Sequence, residues 1–195
     1  MRISKPNMKT GIHSFNIHNK ICRRIPICKK QECFKYCYYN KIIRIYPRQD
    51  SFLMENYKDT LKKSFVDEMN KQLSKMNIRY FRIHSCGEFY NQDYFNKWVR
   101  IASSNKEIIF YTYTRNTDLN VRRPKNLILY LSLSETNDHQ KSQYKRFDGL
   151  TRIRFDKADP IPQGFVLCPH QAKGIKCIEC KLCFKRKTNI LFNKH

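Results

Sequence analysis

The sequence predicts an α/β fold on a mostly parallel sheet, expected as an incomplete or distorted β/α barrel. Three observations predict it. The elements read in the order helix, strand, helix, strand, strand, strand, the pattern of a layered α/β structure. The runs at 107–114 and 126–134 are nearly continuous in apolar residues, as parallel strands covered on both faces are. Nine cysteines bracket this body as a group of four, a single residue and a second group of four.

Each element has its own warrant. From Met54 to Met76 the apolar residues Tyr57, Leu61, Phe65, Met69, Leu73 and Met76 recur every four or three positions, predicting one amphipathic helix with a buried stripe. Residues 78–84 (IRYFRIH) alternate as a strand, with Tyr80 and Arg82 opposite Phe81 and Ile83. Asn91 is placed to cap a second helix whose inner face is Tyr94, Phe95, Trp98, Val99, Ile101 and Ala102. Strands follow at 107–114 (EIIFYTYT) and 126–134 (NLILYLSLS), with shorter candidates at 151–155 and 164–168. A polar stretch follows Ser134. One α/β domain over 1–195 is expected, with little linker sequence: a cysteine-rich segment at 1–47, the body at 48–167 and a cysteine-rich segment at 168–195.

In such folds functional groups gather where strands end and loops begin. That rule selects His84, Ser85, Cys86, Gly87 and Glu88, then Thr114 and Arg115, then Ser132 and Ser134. In a barrel the first and last strands are neighbours, so both cysteine groups could meet at one mouth.

Cys168, Cys177, Cys180 and Cys183 carry the strongest chemical signal. The last three form an unbroken C-x2-C-x2-C, the way ferredoxin-type loops hold a [4Fe–4S] cluster. Each thiolate serves a different iron of one cube, so the ligands must be close in sequence yet reach separate corners. A zinc ion draws its sulfurs to one centre, usually from two separate pairs. Zinc held by four thiolates, or by three and a histidine, is the rival reading, because His170 and His195 are nearby. At the other end Cys22, Cys28, Cys33 and Cys37 fall within sixteen residues. Cys33 and Cys37, with at least one of Cys22 and Cys28, are expected to bind metal in a second cluster or to lend ligands to the first. Cys86 reads as a buried small residue. A disulfide framework would suit a small secreted domain, but the start lacks an apolar h-region and a cleavage site. A chain of 195 residues can also bury a core without staples. A reducing cytoplasm is the expected home, where clustered thiols persist as metal ligands. No run approaches the ~18 apolar residues of a membrane span.

The formal net charge is +23, from 39 Lys and Arg against 16 Asp and Glu. Such a surface favours polyanions, nucleic acid or a nucleotide above all. A genome rich in A and T accounts for many of the lysines but not for the arginines. Arg122, Arg123 and Lys125 around Pro124, with Lys141, Lys145 and Arg146, resemble a basic patch interleaved with Tyr144 and Phe147, where an exposed ring could stack on a base. A run of solvated lysines is the plainer explanation of any one of them.

His84 and Glu88 bracket Gly87, which can turn the backbone sharply off a strand. They could work as acid and base, with Arg115 binding phosphate or carboxylate. The plainer alternatives are a strand-end histidine bonded to backbone, a glutamate capping the next helix and a surface salt bridge. His13, His18 and His139 read as ordinary surface histidines.

Several segments together carry a family resemblance: KTGIHSFNI near the start, CFKYCYYNK, RIHSCGEFYNQDYFNKW, YTYTR, CPHQAKGIKCIECKLCF and the ending ILFNKH. In that order, over nearly the whole length, they resemble the phage "gene product eighty-eight" family, small proteins of phages and mobile elements. Here Cys86 stands where the family tends to have a small residue, and Glu88 replaces Asp. The resemblance implies the α/β fold and supports the cluster, and it implies a phage protein working in the host cytoplasm. A wider analogy, at the level of fold alone, is to radical SAM proteins: CFKYCY echoes the aromatic residue beside their last cluster cysteine. The usual C-x3-C-x2-C is absent here. On that analogy Glu88 or Arg115 would help hold SAM.

Overall fold

The fold is built around seven parallel strands, seen in a computed structural model that describes residues 1–6, 9–25, 37–134 and 137–194. In chain order the strands are β1 (His13–Phe15), β2 (Tyr80–Ile83), β3 (Ile109–Thr114), β4 (Leu127–Ser132), β5 (Gly149–Arg154), β6 (Phe165–Leu167) and β7 (Asn189–Asn193). Their order across the sheet is β1-β2-β3-β4-β5-β7-β6. The α/β class and the parallel sheet are therefore as expected. β1 and β6 stand at opposite ends of the order, and β7 lies between β5 and β6, so the first and last strands are not neighbours.

The helices are α1 (Tyr38–Ile45), α2 (Arg48–Leu61), α3 (Phe65–Leu73), α4 (Gln92–Ser104) and two short ones, α5 (Pro169–Lys173) and α6 (Cys177–Cys180). The expected single helix over 54–76 is two. A stripe at spacings of four drifts about 40° per step on a 3.6-residue helix, so one straight helix cannot keep Tyr57 through Leu73 on one face. The chain resets the phase at Lys62, which is extended (φ −68°, ψ 147°). Leu61, expected inside, is consequently exposed, while Phe65, Met69 and Leu73 are buried. The break is fastened from α4: the Lys97 ammonium donates to the carbonyls of Thr60 (2.5 Å) and Lys62 (3.1 Å). Asn91 caps α4 as expected, its Oδ1 accepting from the Tyr94 amide at 2.9 Å.

Period-2 alternation sorts the strands onto two faces. Phe15, Phe81, Ile83, Phe110, Leu127, Leu129 and Leu131 pack against the helix residues Phe65, Met69, Phe95 and Trp98. The opposite face is aromatic and partly polar: Tyr80 and Arg82 from β2, Tyr111 and Tyr113 from β3, and Tyr130 from β4. Among the described residues no long helix covers it. The C-terminal cysteine segment does. Phe184 stacks on Tyr80 (ring centroids 4.2 Å apart) and meets Tyr111 edge-on. The Tyr130 hydroxyl donates to the Lys185 carbonyl. The segment reaches back to the N-terminus, where the Cys177 amide donates to Lys9 O (3.4 Å) and Ile178 packs on Gly11. Chain ends that a barrel would have joined edge to edge are joined across the sheet face instead. Gly149 makes this crossing possible: a Cβ there would lie 2.4 Å from Thr188 O and 2.6 Å from the Tyr130 ring.

Candidate metal centre

Cys168 ends β6, its amide bonded to Leu191 O (2.9 Å), and Pro169 starts α5 directly after it. Gly174 ends α5 in the left-handed region (φ 70°), turning the chain toward α6. Cys177 and Cys180 are the first and last residues of α6, one turn apart. Lys181, also left-handed (φ 54°), ends it and redirects the chain so that Cys183 lies in a 3₁₀ turn. These turns bring Cys168, Cys177, Cys180 and Cys183 to one cleft, which His170, Leu182, Phe184 and Ile190 help to line. The two short helices thus act as a holder for sulfur. Among the described residues, no three His, Cys, Asp or Glu side chains are drawn together tightly enough to hold a single metal ion.

The surroundings oppose bare thiolates. Burial pushes the Cys183 thiol up to about 12, with the neighbouring thiols adding to the shift. Cys177 is raised by burial and then by Cys168. Three groups act in the opposite direction. The Tyr113 hydroxyl hydrogen-bonds Cys183, and the Arg82 guanidinium favours the charged forms of Cys177 and Cys183; Lys9 does so for Cys177. Arg82 is held in place over Tyr113 (5.3 Å to the ring centroid) and Tyr111 (5.9 Å), with its Nε donating to His84 O at 3.2 Å. Its position was implicit in the alternation of 78–84, which places Tyr80 and Arg82 on one face. Its proximity to thiols more than ninety residues away was not. Tyr111, Tyr113 and Tyr130 were likewise missed as site residues, having been read only as apolar strand.

His170 donates from Nδ1 to Ile175 O (3.1 Å), which leaves the lone pair on Nε2. It is thereby a fifth possible ligand beside the four thiols.

Cys22 and Cys37 lie elsewhere. Cys22 is in a 3₁₀ turn (Asn19–Arg24) after β1, and Cys37 is the N-cap of α1. Cys28, Cys33 and His195 fall outside the described residues. Cys37 neighbours Cys86, which is buried as expected.

His84 and Glu88 are both turned inward. His84 takes a left-handed backbone (φ 61°), its Nε2 pairs with the Tyr94 hydroxyl (2.8 Å), and its Nδ1 has no partner among the described residues. Burial depresses its pKa to about 3. The Glu88 carboxylate accepts from Thr114 Oγ1 (2.6 Å), the Arg115 amide (2.7 Å) and the Phe89 amide (2.8 Å). It therefore ties the end of β3 to the loop after β2, while Asn91 does the capping. Glu88 and Arg115 are brought together, through Arg115's backbone. His84 faces the rings of Phe89 and Tyr94 instead.

One expectation is corrected and a second holds in part. His18 is not a surface histidine: it is fully buried, accepts from the Lys20 amide (2.9 Å) and pairs with Asp50 (2.5 Å). That bond chiefly holds the Asp50 carboxyl below its ordinary value. The basic patch is turned inward only in part. Arg123 and Arg186 clamp Asp148 at 2.6 and 2.7 Å, and Arg146 bonds the carbonyls of Thr117 and Leu119. Phe147 is buried, and Tyr144 is half-buried against the core with its hydroxyl bonded to Asp138. Buried carbonyls and one buried carboxylate need cationic donors, and arginine's fork supplies them. Arg122, Lys125, Lys145 and Arg146 remain exposed. Arg122 lines an open polar groove with Gln92, Asn96, Ser103 and Asn120.

These features define a basic parallel-sheet α/β protein whose second face is covered by a thiol-bearing segment. The Gene product 88 family model matches residues 4–186, and the chain belongs to that family. It is 26% identical over 188 residues to the Gene 88 protein of Mycobacterium phage L5, covering 83% of this chain and 78% of that one. The Gene 88 protein of Mycobacterium phage D29 is 26% identical over 191 residues, with the same coverage. No solved structure matches the chain significantly. Among the described residues, no helix is long and apolar enough to cross a membrane.

Proposed function

We propose that the chain is an iron–sulfur protein whose Cys168, Cys177, Cys180 and Cys183 hold a [4Fe–4S] cluster, on a basic body that acts on or with a nucleic acid or nucleotide. The observation that carries this reading is that all four thiols line one cleft over the aromatic sheet face. Four thiols massed in an apolar setting repel one another's charge. A metal centre resolves this, because coordination deprotonates a thiol outright. The Arg82 guanidinium and the Tyr113 hydroxyl supply the positive charge and hydrogen bond that commonly tune such centres. The excess of basic residues supports the polyanion.

A second reading rests on His170, whose Nε2 lone pair suits zinc held by three thiolates and one imidazole. One experiment separates the two. Protein purified without oxygen is expected to be brown, with broad absorption near ~400 nm that bleaches on reduction. Elemental analysis should give iron with matching sulfide, and Cys180→Ser should lose that iron. Colourless protein with stoichiometric zinc, lost in both Cys180→Ser and His170→Gln, would replace the cluster with the zinc site.

A further inference from the structure

The outer face of α4 carries a stripe that the core does not use. Gln92, Asn96, Val99 and Ser103 recur every four or three residues, which keeps them on one side of the helix over roughly 16 Å. Opposite them runs the segment from Asn120 to Pro124, and the two walls enclose a groove of about 500 Å³.

The walls are fastened to each other. At one end Gln92 Nε2 donates to Asn120 O (3.1 Å) and Gln92 Oε1 accepts from the Asn120 amide (2.8 Å), stapling the segment to the first turn of α4. At the other end Asn126 Nδ2 donates to the carbonyls of Ala102 and Asn105, both at 2.9 Å, beside the last turn. Between these staples Arg123 turns inward to Val121 O (2.7 Å) and Asp148, holding the wall from behind. A site fixed in this way loses little freedom when it binds.

What the groove offers outward is mostly hydrogen-bond donor. Its amide oxygens are used internally: Asn96 Oδ1 accepts from Gln92 Nε2 (2.8 Å), and Asn120 Oδ1 accepts from the Arg122 amide (3.3 Å). Asn96, Asn120 and Arg122 are exposed, and the two Nδ2 groups and the guanidinium have no partner among the described residues. Asp93 and Asp118, the acidic residues nearest in sequence, do not line the groove. Neutral donors beside a guanidinium match an anion rich in acceptor oxygens. The stripe is longer than a single phosphate needs, and no aromatic ring lines it to stack a base, so the backbone of a strand is what it can grip. A cleft of this volume has room for one strand and not for a duplex.

We infer that this groove binds the sugar–phosphate backbone of a single-stranded nucleic acid, with Arg122 on a phosphate and Asn96 and Asn120 donating to backbone oxygens. The inference rests on the nucleic-acid reading of the proposed function and gives it a place, on the opposite face of the sheet from the cysteine cleft.

Fluorescence anisotropy of labelled oligo(dT) and oligo(U) with the full chain tests it. Arg122→Ala, Asn96→Asp and Lys157→Ala each lower the net charge by one, and Lys157 is exposed on the loop after β5 and does not line the groove. Asn96→Asp also keeps the oxygen that Gln92 uses, so the staple survives. Arg122→Ala and Asn96→Asp are expected to weaken binding about tenfold, as losing a charge-assisted hydrogen bond or opposing a phosphate does. Lys157→Ala should weaken it less than about twofold, as a distant charge screened by salt does. Arg122→Ala should also make the slope of log affinity against log salt shallower by about 0.7. Binding of either homopolymer in this pattern supports the inference, and the preferred one identifies the sugar. Equal weakening in all three variants would overturn the groove while leaving the nucleic-acid reading in place, as would tighter binding of a duplex than of either strand. No binding of any oligonucleotide at about 50 mM salt would overturn both.

Discussion

At the scale of the residue, the interior spends its polarity on a few side chains whose ionisation the fold controls. His84 is the clearest case. Burial holds its imidazole neutral to about pH 3, against an ordinary value of 6.5. The unfolded chain takes up that proton near pH 6.5 and the folded chain does not, so stability falls as the pH drops from 6.5 toward 3. Glu88 acts in the opposite sense. Its pKa is raised by burial, so its contribution is present at low pH and is lost as the pH rises through its folded value. Replacing His84 with Asn, which tolerates the left-handed backbone, should reduce the slope of unfolding free energy against pH between 6 and 4 by about one proton. Denaturant titrations across that range measure it, and an unchanged slope would show that His84 is not the buried neutral base described. Sequence singled out His84 and Glu88 because they follow a strand, and that placement was correct. Their inward orientation was not legible, because it depends on Tyr94 and Thr114 arriving from other elements. His18 was unreadable for the same reason, its partner Asp50 lying thirty-two residues away.

At the scale of the element, strong periodicity was a reliable guide and its finer arithmetic was not followed far enough. The strands β2, β3 and β4 and the helix α4 were legible because their apolar residues repeat on one face or run unbroken. The three-residue β1 and the lysine-flanked β7 carry too little pattern to stand out, and it is pairing with β2 for one and with β5 and β6 for the other that makes them strands. The broken α2–α3 pair has a direct test. Met69→Ala should destabilise the fold by about 2–4 kcal/mol, as truncation of a buried Met does. Leu61→Gln should change stability by less than about 0.5 kcal/mol, because the break turns Leu61 to solvent. A continuous helix would make both substitutions costly, so comparable losses in chemical denaturation would contradict the break.

At the scale of the whole molecule, the charge of +23 divides into two populations. Arg123 and Arg146 donate to carbonyls and Arg123 and Arg186 to Asp148, while Arg122, Lys125 and Lys145 are among the cations that face solvent. The sequence total overstated how much of the arginine is available to a partner, since composition cannot distinguish a clamp from a patch. Enough remains for a salt-sensitive interaction. Contact with four phosphates would make affinity for an oligonucleotide fall roughly 100-fold between 50 and 200 mM salt. Fluorescence anisotropy measures this, and affinity flat in salt would remove the polyanion from the proposed function. The sheet order carries a consequence in time as well as in space. Chains emerge from the ribosome in sequence, so β6 is made before β7. Among the described residues β6 pairs with β7, so its ladder forms only after β7 has followed it out. Cys168, Cys177, Cys180 and Cys183 are all synthesised within that interval. The four thiols thus lie on the stretch of chain between the two partners of one ladder, and pairing of β6 with β7 closes that stretch into a loop held against the tyrosine face.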